Sequence, residues 1–324
     1  LVLVGLFVIA SGVTLLQVGA NPLVAALGPQ KSSHARLNFS QFFNSLGTTL
    51  GPLIAAPILL TGGVFAADAV ITDPATRAES LRSIDIAFLA VGVFFAVVAT
   101  FIFTARKTIN AAAPVPTAED RMSPLVALKS PWAIFGALAI FFYVGSEVTI
   151  GDLMTDFLHR PEILDIPVAQ AGQMVAFYWG GAMVGRLVGG LLMLTSIRAT
   201  TILIVNTAVA AILCLIVTQT VGVTAAYAAI AIGFFNSIMF PTIFTLTLER
   251  STAPVPATSG LLVFGIIGGA ILPPIAGSIA DNSATLNPLF FVPMVGYLIL
   301  VAFAVAASRA KTHSIAAEAT PGGH

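Results

Sequence analysis

Residues 199–219 read ATTILIVNTAVAAILCLIVTQ. The run carries no charged side chain, and Asn206 and Gln219 are its only amides. A bilayer core about 30 Å thick is crossed by roughly 20 such residues in helical form. Lipid offers the backbone no hydrogen-bond partner, so a spanning segment must be a helix or a strand of a closed barrel. A barrel strand would alternate polar and apolar residues over about 10 positions. This run does not alternate, so it reads as a transmembrane α-helix.

The same reading extends outward in both directions. Of 324 residues, 57% are hydrophobic and only 9% are charged, where a soluble domain carries roughly 25% charged residues. Fourteen basic and fourteen acidic side chains cannot cover a soluble globule of this size. Their formal sum of zero implies no nucleic-acid partner. Nine spans follow, at 1–27, 37–62, 84–105, 130–155, 168–194, 199–219, 221–248, 258–281 and 287–308. The fold class is an all-α polytopic membrane protein. The single cysteine, Cys214, lies inside an apolar run and reads as a packing residue, so neither a disulfide nor a thiolate metal site is expected. The histidines His34, His159, His313 and His324 fall in loops or the tail, which leaves no intramembrane histidine relay.

The connections set domains and orientation. Residues 106–129 hold Pro114, Pro116 and Pro124 among alanines and read as a flexible linker. They divide residues 1–105, part of a first bundle, from a six-helix bundle at 130–308, with a tail at 309–324. Loops on one side carry Lys31, Arg36, Arg106, Lys107, Arg121, Lys129, Arg198, Arg250, Arg309 and Lys311. The opposite side carries Arg77, Arg82 and Arg160, with most of the acids. Lysine and arginine accumulate on the cytoplasmic side, so the C-terminus is expected inside. Nine spans then place Leu1 outside, at the start of a hydrophobic run. The expectation is a fragment with an odd number of spans upstream. A weak repeat relates Gly47-Thr48-Thr49-Leu50-Gly51-Pro52 to Gly268-Gly269-Ala270-Ile271-Leu272-Pro273. It fits two similar halves with a site between them, or chance similarity of two Gly/Pro-containing helices.

Polar residues inside spans are costly and face bundle interiors or wet cavities. Gln17 and Asn21 lie one turn apart before Pro22. Gln17 is the candidate for a ligand hydroxyl, and Asn21 for a helix–helix bond or a capped kink. Asn38, Gln41, Asn44, Ser45 and Thr48 recur at spacings of three and four and form an inward stripe. Such a stripe suits a sugar, because a buried hydroxyl left unpaired costs about 1–3 kcal/mol, or it serves as interhelical glue. Glu147 is the one carboxylate deep in a span, with Tyr143 a turn before and Asp152 further out. It is either a coupling or sugar-accepting group, or half of a structural pair with Arg186. Arg186 itself reads as snorkelling to the interface. Gly181, Gly185 and Gly189 give small-residue packing on its helix. Tyr178 and Trp179 precede them, as sugar-stacking or packing aromatics. Asn236 and Phe240 share a face, and Pro241 should kink that helix and free backbone acceptors. The glycines from Gly260 to Gly277, with Pro273-Pro274, suit a bending gate or tight packing.

Larger motifs carry a family resemblance. They are Gln17-Val18-Gly19-Ala20-Asn21-Pro22, then Arg36-Leu37-Asn38-Phe39-Ser40-Gln41-Phe42-Phe43-Asn44-Ser45, then Phe177-Tyr178-Trp179-Gly180-Gly181-Ala182-Met183-Val184-Gly185-Arg186, and Phe235-Asn236-Ser237-Ile238-Met239-Phe240-Pro241-Thr242. Together they resemble the fucose permease and glucose/galactose branch of the major facilitator superfamily, over nearly the whole chain. The resemblance implies a twelve-helix transporter working by alternating access, with these spans as helices four to twelve. It implies that Gln41 and Asn44 touch the sugar. At Gln17 the fucose permeases have a coupling glutamate, whereas the hexose members carry glutamine. A second coupling carboxylate of the family lies in a first helix absent from this sequence. Glu147 is the candidate substitute.

The expected function is therefore cation-coupled hexose uptake, of glucose or galactose, across a bacterial inner membrane. Gln17, Gln41, Asn44, Asn236, Tyr178 and Trp179 are the expected substrate-binding residues. Gly181, Gly185, Gly189 and Pro241 are expected to serve gating and packing. No cofactor is expected beyond a coupling proton or sodium ion. The expected partners are a small sugar and the lipid bilayer, around a monomer. Fucose or N-acetylglucosamine transport, or a non-transporting sugar sensor, are the alternatives. A membrane-embedded enzyme would need clustered Asp, His or Ser nucleophiles within the spans, and Glu147 stands alone there.

Overall fold

A computed structural model describes residues 2–59, 73–113 and 123–313 of the chain. The expected span end at 60–62, the prolines Pro114 and Pro116, and most of the tail lie outside these residues. The described helices are α1 (Val2–Ala26), α2 (Ser33–Leu59), α3 (Pro74–Ala112), α4 (Pro131–His159), α5 (Val168–Leu192) and α6 (Ala199–Gln219). They continue as α7 (Gly222–Asn236), α8 (Met239–Leu248), α9 (Val255–Phe264), α10 (Gly268–Asp281) and α11 (Phe291–Arg309). Among the described residues, eight helices or helix pairs are long and apolar enough to cross a membrane. The pairs are α7 with α8 and α9 with α10, each filling one expected span. The 27-residue α2 covers the described part of the remaining expected span, 37–62.

The chain divides into two compact units, Leu1–Ser45 with Pro114–His324, and Leu46–Ala113. In the larger unit α4 is the central helix, packed against α5, α8, α9, α10 and α11. Glycines allow two of these approaches. A Cβ on Gly265 would sit 2.5 Å from the Ala137 carbonyl, and one on Gly268 would meet the Phe141 carbonyl. The glycine-rich segment thus lies backbone to backbone on α4, with a 3-10 turn, Gly265–Ile267, joining α9 to α10. Helix ends are capped by side chains remote in sequence. Asn287 donates to the Val217 and Thr220 carbonyls at 2.7 Å each, closing the end of α6. Arg36 donates to the Val24 and Ala25 carbonyls at 3.2 and 2.6 Å, closing α1. Arg36 is thus a helix cap as well as a loop charge.

The smaller unit holds the rest of α2 and the 39-residue α3. Leu89, Phe94 and Phe101 on α3 are exposed, as expected of a helix whose solvent is lipid. This helix is longer than the expected 84–105 and runs into the start of the expected linker at 106–129. Pro74 opens the helix at a position that suits its fixed φ. At the other end Ala111 and Ala112 are strong helix formers. Arg106 donates to the Phe103 carbonyl at 2.9 Å and lies 3.7 Å over the Phe103 ring. Residues 106–112 are therefore helical turns, and Pro124–Lys129 form a 3-10 helix.

Candidate functional site

A cavity of about 360 Å³ lies within the larger unit, between α1, α2, α4, α5 and α8. Gln17 and Asn21 come from α1 and Gln41 and Asn44 from α2, because spacings of three and four put each pair on one helical face. Tyr143 and Glu147 come from α4 by the same spacing, with Arg186 from α5 and Phe240 from α8.

The amides are incompletely used. Gln41 donates from Nε2 to Asn21 Oδ1 at 3.2 Å, which orients both. The Asn21 amide nitrogen is buried without a partner. Among the described residues neither Gln17 nor Asn44 has a hydrogen-bond partner. An amide carries two donors and an acceptor, so this wall is complementary to the hydroxyls of a neutral polyol. Two other residues of the α2 stripe, Asn38 and Ser45, have partners of their own. Asn38 bonds back to the His34 carbonyl at 2.9 Å and to the Met193 sulfur at 3.3 Å, and Ser45 meets Arg186.

Arg186 is a correction. It does not snorkel: it is 6% exposed and tied on several sides. Its Nε donates to the Ser237 carbonyl at 2.9 Å, and Nη1 donates to the Gln41 carbonyl at 3.1 Å and to Ser45 Oγ. The Ser237 carbonyl is available for a covalent reason. Its helical donor would be the N–H of the residue four further on, which is Pro241 and has none. The helix breaks there into α7 and α8, and the guanidinium takes the freed acceptor. Burial draws Arg186 inward because glycines let α5 approach α7. A Cβ on Gly185 would collide with the Phe234 carbonyl and Ser237, one on Gly189 with Ile238, and one on Gly181 would lie 3.2 Å from the Phe234 nitrogen.

Arg186 Nη2 faces Glu147 Oε1 at 3.9 Å. That is ion-pair distance but beyond hydrogen-bond length, and among the described residues Oε1 has no hydrogen-bond partner. The Tyr143 hydroxyl is buried without one as well. The carboxylate, phenol and guanidinium thus line the cavity with bonding capacity to spare.

The structure does not bring Asn236, Tyr178 and Trp179 into this lining. Asn236 is fully buried and donates to the Tyr178 hydroxyl at 2.7 Å, which donates to the Glu147 carbonyl at 3.1 Å. This chain ties α7 and α5 to the back of α4, just where Glu147 is mounted. Trp179 packs edge-on to Tyr178, with ring centres 5.0 Å apart, and covers Gly151. Asn21 and Tyr143 also line the cavity, beyond the expected substrate-binding set. Their spacing, four residues from Gln17 and Glu147, was the available signal.

The comparisons with known proteins agree with this architecture. The Major Facilitator Superfamily profile matches residues 1–264. A glucose/galactose transporter of Brucella abortus is 37% identical over 308 residues, covering 94% of this chain and 71% of that protein. The L-fucose-proton symporter of Escherichia coli is 28% identical over 328 residues, covering 97% of this chain and 73% of that one. The crystal structure of the E. coli fucose:proton symporter superposes with a TM-score of 0.78 at 24% identity, over 95% of this chain and 77% of that one. The chain belongs to the Major Facilitator Superfamily.

Proposed function

We propose that the protein is a cation-coupled hexose transporter that takes glucose or galactose as substrate and works by alternating access. The observation that carries this reading is the pairing of unpartnered amides, Gln17 and Asn44, with a buried, under-bonded carboxylate in one cavity. Gln17, Gln41 and Asn44 bind sugar hydroxyls. Glu147 is the coupling group: a proton or a sodium ion on its carboxylate weakens the pull on Arg186, whose other bonds reach α2 and Ser237. Binding that differs between outward-open and inward-open states then drives the exchange. The names of the similar proteins, a glucose/galactose transporter and an L-fucose-proton symporter, support both the substrate class and the coupling. The protein sits in a bacterial inner membrane with its C-terminus cytoplasmic, as the lysine and arginine distribution favours.

Uptake of labelled glucose, galactose and fucose into proteoliposomes, under imposed proton or sodium gradients, tests this. Gradient-driven uptake of glucose or galactose that Glu147→Gln uncouples is the expected result. Folded protein that moves no sugar under either gradient would overturn the reading.

A further inference from the structure

A second cavity, of about 630 Å³, opens among the start of α2, the α5–α6 connection and the ends of α8 and α11. It shares no lining residue with the cavity of Gln17 and Glu147. Its charges are unbalanced. Lys31, Arg198, Arg250 and His34 line it against one carboxylate, Glu249. That carboxylate is already committed: Oε1 lies 3.2 Å from His34 Nε2, and Oε2 lies 3.2 Å from Arg250 Nη1. Arg250 is committed as well, donating to the Ala307 and Leu246 carbonyls at 3.1 and 2.9 Å. Among the described residues Lys31 and Arg198 are left with no partner, and both are exposed at the cavity.

Besides these two cations the lining includes the first turn of α6, Ala199 and Thr200, after Arg198 at the N-cap. No side chain caps this 21-residue helix. Its first N–H groups therefore present the positive end of the helix dipole, the usual setting for a bound anion. Thr200 supplies an independent sign. It is 6% exposed, lines the cavity, and among the described residues its hydroxyl has no partner. A nearly buried hydroxyl with no protein partner, lining the same cavity as two unpaired cations, matches an oxyanion with several acceptor atoms. The volume exceeds what a lone inorganic anion fills and suits a small organic ligand.

We propose that this cavity is a binding site for a phosphate monoester or diester, held by Lys31, Arg198 and Thr200 and separate from the transport cavity. Two sources carry that chemistry, a soluble phosphate ester and a phospholipid headgroup.

The test uses the full chain in a sugar-free, non-ionic detergent. Its thermal unfolding midpoint is followed against inorganic phosphate, a hexose phosphate, or phosphatidylglycerol in mixed micelles. Sodium chloride at matched ionic strength is the control. We expect a saturable rise on the order of 5 °C at a hundredfold excess over Kd. Lys31→Ala combined with Arg198→Ala should abolish it, and Thr200→Val should weaken binding about tenfold. Arg309→Ala, exposed and outside the lining, should leave it unchanged. A response to the soluble ester alone assigns a soluble ligand, and a response to the lipid alone assigns the headgroup. Both support the site. No saturable response to any of the three probes, or an equal response in the double variant, overturns it. Unliganded midpoints near that of the native protein establish that the variants fold. If the double variant does not fold, Lys31→Ala and Arg198→Ala are tested singly, each expected to weaken binding about tenfold.

Discussion

Glu249, buried, and Glu147, largely shielded, each face an arginine in this protein, and their surroundings are opposite. Glu249 is held by His34 and by Arg250, each at 3.2 Å, and the backbone carbonyl of Glu249 accepts from the His313 N–H at 2.6 Å. Glu147 faces Arg186 at 3.9 Å, and its Oε1 has no hydrogen bond among the described residues. A buried charge with every lone pair answered rigidifies its surroundings, while one left short is costly unless something else arrives to complete it. Glu249 therefore reads as a brace between α2 and the end of α8. Glu147 reads as a site waiting for a ligand or an ion.

The sharpest way to break that contrast is at Arg186. Arg186→Ala strips the charge facing Glu147 and the donor of the Ser237 carbonyl, so uptake should fall at least about 100-fold, consistent with several kcal/mol for a broken buried pair. Arg186→Lys should rescue little, because an ammonium cannot reproduce the fork of bonds. Uptake within a fewfold of the native rate in Arg186→Ala would mean the pair is incidental. Next come Gln41→Ala and Asn44→Ala, each expected to raise the apparent KM for hexose about tenfold with folding unchanged. Concentration-dependent uptake measures this, and an unchanged KM in both would remove these amides from the sugar site.

The braced partner calls for a different measurement. Burial pushes the Glu249 carboxyl up, but the His34 hydrogen bond and charge, and then Arg250, outweigh it and hold the group below its ordinary value of 4.5. A lowered carboxyl stabilises the fold above its ordinary value, and the contribution is lost as pH falls through the lowered one. The melting midpoint of native protein should therefore exceed that of Glu249→Gln near neutral pH, and the two should converge in acid. A gap that widens in acid would contradict the brace. The smallest effect on transport belongs to Asn236→Leu. It should lose about 1–2 kcal/mol of stability while hexose KM moves less than about threefold. A larger KM change would return Asn236 to the sugar site.

Much of this was legible in the residues. The helices follow from unbroken apolar runs, and helical spacing decides that Gln17 with Asn21, Gln41 with Asn44, and Tyr143 with Glu147 each share a face. What spacing cannot reach is distance across helices. Arg186 looked like an interface residue because charge near a span end usually is. Its burial depends on glycines that bring α5 onto α7, and on an acceptor created on another helix. Asn236 and Tyr178 are polar and aromatic residues inside spans, the composition of a sugar site, yet they bond each other and the back of α4. Partnership of that kind is a property of packing and leaves no trace in either helix alone.

The vacancy that Pro241 leaves above Ser237 ties two distant positions into one heritable unit. An amide N–H restored at 241 would compete for the Ser237 carbonyl and set the guanidinium adrift. A shorter side chain at 186 would strand that carbonyl in the interior. Neither substitution is tolerable while the other residue stays. Drift at these two positions should therefore be correlated, with arginine and proline kept together or exchanged together in lineages that retain this broken helix.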